Sequence, residues 1–221
     1  MSQREALIGK IHSAFEATGY PGEGFLQGSF EGCEPYEEVG PFKSKKDWRG
    51  IEAHFLDVHA DALSFFSEGA FRFFLPAYLV ADLQDQLRTA DPLFHLTHGF
   101  SDTTVELPTK DRVFAMRQGR SAFVNPRRYG ATTFYDYARY RLSVFTREEA
   151  STIVAYLRFK RDLDPDAVLP DRAVIDAALE SFWLEREQTA PPAESLKQHI
   201  AQQEEYLAAV RSGIEDSSED R

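Results

Sequence analysis

One cysteine, Cys33, stands in 221 residues. That scarcity excludes an intrachain disulfide framework and a thiolate zinc site, each of which needs several thiols. Cys33 also sits in Glu31-Gly32-Cys33-Glu34, where adjacent carboxylates disfavour a thiolate, so it does not read as a nucleophile. Other signatures are missing too: no Gly-x-Ser-x-Gly elbow, no His-Glu-x-x-His, no Glu-x-x-His pair, and no glycine loop followed by Lys-Ser or Lys-Thr. Acyl transfer, zinc proteolysis, di-iron chemistry and nucleotide binding therefore lack their usual sequence signals. The balance leans away from an enzyme, and no residue pattern calls for a cofactor. Long apolar runs are absent as well. The best stretch, Phe65 to Ala81, contains Glu68 and Arg72 and is followed by Asp82, which makes it too short and too charged to span a bilayer. Near the N-terminus, Lys10 and His12 arrive too early for a secretory leader. The expectation is a soluble protein retained in a reducing cytoplasm, with no membrane partner.

What is abundant is aromatic bulk and acid. Eighteen Phe in a chain that is 43% apolar are ample for one hydrophobic core. Acidic residues outnumber basic ones 36 to 25, for a net charge of -11, which favours solubility and opposes general attraction to nucleic acid or anionic lipid. One region runs against that balance. Between Lys110 and Arg141 eight basic side chains face two acidic ones, a local +6 that leaves -17 for the rest. Arg117, Arg120, Arg127 and Arg128, interleaved with Phe123, Tyr129 and Tyr135, are the candidates for contacting an acidic partner or a single-stranded nucleic acid. The favoured alternative is that the chain's own acidic helices neutralise them.

Helical punctuation is clear at several places. Ser2 with Glu5, and Thr146 with Glu149, are capping boxes, and apolar residues recur at helical spacing after both. The first helix is expected over 3–18. Asp47 is expected to cap a second helix reaching Ser64, with Trp48, Ile51, Phe55, Val58 and Ala62 inward. Ser67 caps a third, whose broad apolar face carries Phe71, Phe74, Leu75, Tyr78, Leu79 and Leu83, and Pro76 should kink or split it near Arg72. Residues 19–44 read as an ordered loop pinned by aromatics. Between Asp91 and Phe145 the pattern allows long loops, short helices and a small strand near Val105. Asp171 opens a further helix, Pro191 and Pro192 break the chain, and Leu196, Ile200, Leu207, Val210 and Ile214 form a narrow seam interrupted by Gln203.

The fold class is thus mainly α: a single compact helical domain with long ordered loops, room for a small β element, and a C-terminal helical appendage. Its divisions are a helical core over 1–189, an amphipathic helix over 190–214 and an acidic tail over 215–221. Metal-ligating residue types coincide best at His54, Asp57 and Asp61, where spacings of three and four put an imidazole and two carboxylates on one helical face. A solvated polar face would have the same spacing. His95 and His98 form a second, weaker pair.

The segments Ser67-Glu-Gly-Ala-Phe-Arg-Phe-Phe-Leu-Pro-Ala-Tyr-Leu79, Asp47-Trp48, Tyr20-Pro21-Gly22 and Phe145-Thr-Arg-Glu-Glu-Ala150 resemble a family of uncharacterised bacterial proteins. That family is classed as a domain of unknown function with a Phe-Leu-Pro-Ala-Tyr-Leu core. The similarity spans 11–162 and implies a small helical protein, with no activity, cofactor or catalytic residue to carry over. The function favoured by the missing signatures is a non-catalytic interaction protein, an adaptor or inhibitor of a basic partner. The alternatives are an enzyme or a small-ligand or metal-binding protein with a pocket between helices, and a single-stranded nucleic-acid binder.

Overall fold

The structure, a computed structural model, describes residues 2–30, 32–108, 113–121, 133–163 and 170–219, with only the backbone described at 103–108, 113–118, 170–171, 193 and 214–219. In chain order the helices are α1 (Gln3–Ala14), α2 (Glu34–Val39), α3 (Ala53–Val58), α4 (Ala62–Phe65), α5 (Glu68–Leu83) and α6 (Pro92–Thr97). After a hairpin of β1 (Asp102–Pro108) and β2 (Val113–Gly119) come α7 (Phe134–Arg141), α8 (Arg147–Asp162), α9 (Pro170–Ala178), α10 (Leu184–Thr189) and α11 (Ala193–Glu219). The mainly α expectation holds, and the strand foreseen near Val105 is β1, which pairs antiparallel with β2 so that Asp102 faces Gly119.

α5 is the organiser. Of its 16 residues 14 are buried, and a helix covered on all sides must lie in the middle of its fold rather than on a face. α1, α3 and α6 pack on it, as do the short 3-10 turns Trp48–Gly50 and Leu142–Val144. The apolar surface of this helix is therefore wider than the one broad face expected of it. The foreseen split at Pro76 does not occur, because α5 continues through it. An interior proline costs about 3 kcal/mol in an isolated helix, and burial of the surrounding aromatic side chains outweighs that cost. Phe74 sits at the centre of those rings, with Phe42, Phe66 and Phe73 each 4.9 Å away between centroids.

The loop after α1 is tied to the start of α5. Ser67 Oγ accepts from the Ala70 N–H as the helix cap and donates to the Phe25 carbonyl at 2.6 Å, while the Ser67 and Gly28 N–H groups donate to Leu26 and Phe65. Residues 19–44 are not loop throughout, because they fold into α2 and the 3-10 turns Glu23–Phe25 and Gly40–Ser44; of their aromatics Phe42, after α2, is fully buried, whereas Tyr36, on α2, stays exposed.

Two helix expectations need correction. α1 ends at Ala14 rather than Thr18, since Phe15 caps it and Thr18 turns its hydroxyl toward α8. The single helix over 47–64 is three pieces: a 3-10 turn capped by Asp47 on the Arg49 N–H, then α3, then α4. Gly50 weakens a helix at the first break, and the second follows from the Asp57 carboxylate being held by residues 88–90. Elsewhere Gly99, at φ +92°, lies where a Cβ would come within 2.8 Å of the Phe134 carbonyl, so only glycine lets the turn after α6 meet α7.

On the far side, α8 packs against α1, α9 and α10, and a π-helical turn, Leu179–Trp183, joins the last two. Of Val174, Ile175, Ala178, Leu179 and Phe182, which the spacing predicts to point inward, the last four are buried and Val174 is only half-buried. The chain breaks at Pro191 and Pro192, and α11 then returns across the same chain. Its Arg211 donates to the Gly24 carbonyl at 3.1 Å, Ile200 lies against Gly69, and Leu196 and Leu207 are buried. Gln203, expected to interrupt this seam, is itself buried within it.

Candidate functional site

Arg72 lies in the middle of the most apolar helix of the chain and is only 9% exposed. A guanidinium in such a place needs a partner, because an unpaired buried charge is far costlier than a paired one. Glu149 is that partner: its two carboxylate oxygens accept from Arg72 Nε at 3.0 and 2.9 Å. The same carboxylate, 1% exposed, accepts from the Thr146 N–H at 2.7 Å and from the Thr18 hydroxyl at 2.7 Å. Glu149 is thus the returning half of the α8 capping box and the clamp on Arg72 at once. This arrangement engages Nε alone. Nη1 and Nη2 of Arg72 make no hydrogen bond to any described residue, and neither is a fully buried orphan.

Beside Arg72 is a cleft of about 940 Å³, bounded by the end of α1 and the turn to Pro21, by Arg72 of α5, by the first turns of α8 and by α11. Its size falls within the range of small-molecule sites. Most polar groups around it already have protein partners. Lys10 donates to the carbonyl and hydroxyl of Ser151, Arg147 donates to the Gln188 carbonyl, the Tyr20 hydroxyl donates to the Lys43 carbonyl, and Lys197 pairs with Glu194. Three ionisable groups stand apart. One is the Nη pair of Arg72, and the second is Glu148, exposed at the rim, whose carboxylate has no hydrogen bond or ion pair to a described residue. The third is Glu204 of α11, half-buried, with no hydrogen bond or ion pair to a described residue and its carboxyl raised above the usual range by burial.

A small second cavity, of about 220 Å³, lies beside His12 and Trp48, whose rings stack at 5.1 Å with Arg49 over the indole at 4.8 Å.

The residues singled out by spacing fall elsewhere. His54 and Asp61 are exposed, whereas the Asp57 carboxylate accepts the backbone N–H groups of Arg88, Thr89 and Ala90 and the Thr89 hydroxyl. Burial opposes the charge on Asp57, but those N–H donors outweigh it and hold the carboxyl below its usual range. Among the described residues no group of three or more His, Cys, Asp and Glu converges as a metal site would. Of the basic candidates, Arg117 lies on β2 opposite Thr104, and Arg120 sits 4.2 Å over the Tyr135 ring. Arg127 and Arg128 lie outside the described residues. Arg139 contacts the Tyr135 ring and hydroxyl, and Arg141 covers Phe71 at 4.5 Å and donates to the Leu63 carbonyl. Among the described side chains, Arg120, Arg139 and Arg141 are met by aromatic faces, a hydroxyl and a carbonyl, not by the acidic helices expected to neutralise the region.

His95 and His98 lie on and just after α6, His95 against Phe71 and Phe94 and His98 stacked on Phe94. Burial, then the charge of Arg141 and the neighbouring His98, push the His95 imidazole down from 6.5 to about 3. Its folded-state value is depressed, so as pH falls below about 6.5 the unfolded chain takes up a proton that the folded one refuses. Stability should be lost through the window from about 6.5 to about 3, by at most roughly 1.4 kcal/mol per pH unit. Urea unfolding of wild type and His95→Phe across pH 7 to 4 checks this. Wild type should lose stability faster than the variant; parallel curves refute the assignment.

Neither a curated protein nor a solved structure matches this chain. A model described as a family of unknown function (DUF6714) does match, over residues 3–187. The match extends beyond 11–162 on both sides and contains Thr18, Arg72, Thr146 and Glu149, while α11 lies past its end. With more than four-fifths of its residues matched, the chain belongs to this family of unknown function, DUF6714.

Proposed function

We propose that the protein binds a small molecule through an anionic group, in the cleft between α1, α5, α8 and α11. The observation that carries this is Arg72: a buried guanidinium locked at Nε by Glu149, with its two terminal nitrogens unspent, in a residue that lines the cleft. Planar N–H donors in fixed orientation match a carboxylate or phosphate in a bidentate manner. Clamping by Glu149 pre-organises them, which lowers the entropic cost of binding. A purely structural ion pair would not require a cleft over the unused side of the arginine.

This reading takes the place of the adaptor or inhibitor role inferred from acidity. The large exposed apolar side chains, Tyr36, Val58, Phe94, Leu163 and Tyr206, sit on five separate segments, and no observation specifies a protein partner. A cytoplasmic setting is part of the same proposal and rests on the single exposed cysteine.

Thermal melting and calorimetry with inorganic phosphate, acetate and succinate test the site. At least one should raise the melting temperature at millimolar concentration, and Arg72→Lys, which keeps the charge but loses the fork, should weaken that ligand by about tenfold or more. The proposal fails if none of the three stabilises the protein, or if a folded Arg72→Lys variant binds as well as wild type. Should Arg72→Lys not fold, the Arg72 Nε–H resonance of wild type, unmoved by saturating ligand, would equally refute it.

A further inference from the structure

Within the anion-binding reading, on which this inference rests, the opposite wall of the cleft narrows the class of ligand. α11 brings Lys197, Ile200, Ala201 and Glu204 to the cleft, and the family match ends before all four. Lys197 is largely exposed and paired with Glu194 on its own helix. Glu204 has no such partner. Its helical neighbours one turn away on the same side are Ile200 and Ala201, both lining the cleft, and no basic side chain comes within ion-pairing reach of it among the described residues. A half-buried carboxylate lining a cleft with no donor supplied by the protein is free to accept one from a ligand, and its burial makes that donor more valuable than it would be in open water. Arg72 poses the complementary case on the α5 side, with Nη donors for which no described residue supplies an acceptor. Between them the cleft is lined by small apolar groups, among them Ala14, Ala17 and Pro21.

We propose that the ligand is zwitterionic, with a carboxylate bound by Arg72, an ammonium group bound by Glu204, and an apolar body between them. The chemistry is that of an amino acid or of a short peptide. One molecule with both groups answers the free Arg72 donors and the half-buried Glu204 carboxylate at once, whereas a simple anion would enter a cleft that already holds unpaired carboxylates. α11 is then the specificity wall: the arginine clamp holds the acid, and Glu204 selects for an amine.

Calorimetric titration of the full chain distinguishes these ideas. The probes are the individual L-amino acids and the dipeptides Ala-Ala and Ala-Leu, each paired with an analogue lacking the amine, such as propionate for alanine or N-acetylated Ala-Leu for Ala-Leu. A zwitterion should bind at least tenfold more tightly than its amine-free counterpart, and Glu204→Gln should remove that advantage by weakening the zwitterion while not weakening the counterpart. Glu204 is half-exposed and bonds to no described residue, so this variant is expected to fold normally. Preference for the amino acids or for the dipeptides separates the two sources of the same chemistry. If amine-free carboxylates or phosphate bind wild type and Glu204→Gln as tightly as any zwitterion does, the zwitterion proposal falls and the anion site stands. If no probe binds and Arg72→Lys changes nothing, both fall together.

Discussion

Glu149→Ala should destabilise the protein by about 3–5 kcal/mol, the cost of stranding one member of a buried ion pair. Three losses coincide in this one substitution. Arg72 keeps its charge in an apolar helix without the acceptor for its Nε, the Thr146 N–H loses the returning half of its capping box, and the Thr18 hydroxyl loses its acceptor. A domain whose total stability is about 5–15 kcal/mol is brought near the edge by such a change. Urea unfolding at neutral pH measures it. Two companion variants locate the cause. Glu149→Gln retains the cap acceptor and should lose less, and the double substitution Arg72→Met with Glu149→Leu should be more stable than Glu149→Ala, since no ion is then left unpaired. A Glu149→Ala protein within about 1 kcal/mol of wild type would mean that water, not Glu149, satisfies Arg72.

Phe74→Ala is expected to be as damaging, at about 3–5 kcal/mol, through the cavity it leaves. Phe74 is fully buried and its ring meets Phe42, Phe66 and Phe73 from three directions. These neighbours belong to the loop after α2, the segment just before α5, and α5 itself, so none can collapse into the void without disturbing another element. Phe94→Ala, at a ring 48% exposed, should cost far less. Equal midpoints for the two variants in urea would contradict the central place given to α5.

Much of the helical framework is legible in the chain. Ser2 with Glu5, Ser67, and Thr146 with Glu149 mark helix starts where the structure has them, because a cap is a hydrogen bond between residues two or three apart and is written within one turn. Apolar spacing also places Ile175, Ala178, Leu179 and Phe182 inward, where they are found. The helix expected over 47–64 misleads for the opposite reason. Its spacing is helical, but Asp57 is claimed by three N–H groups of residues 88–90, and a tertiary bond of that kind overrides a local periodicity. Likewise His54, Asp57 and Asp61 share a spacing but not a common purpose.

The cleft is not legible, although both of its central residues carry a local signal. Arg72 stands out as a charge that spoils a membrane span, and Glu149 as half of a capping box. Nothing within either segment joins two residues 77 positions apart. Local composition settles that the chain has no long apolar helical span, that it is acidic and mainly helical, and where most helices begin, since each depends on side chains close in sequence. Three-dimensional packing alone settles that α5 is buried on every side, that Glu149 clamps Arg72, and that α11 returns to set Glu204 over the same cleft. A buried charge is tolerated only where a distant segment delivers its partner, so the site exists only once the whole chain has folded around α5.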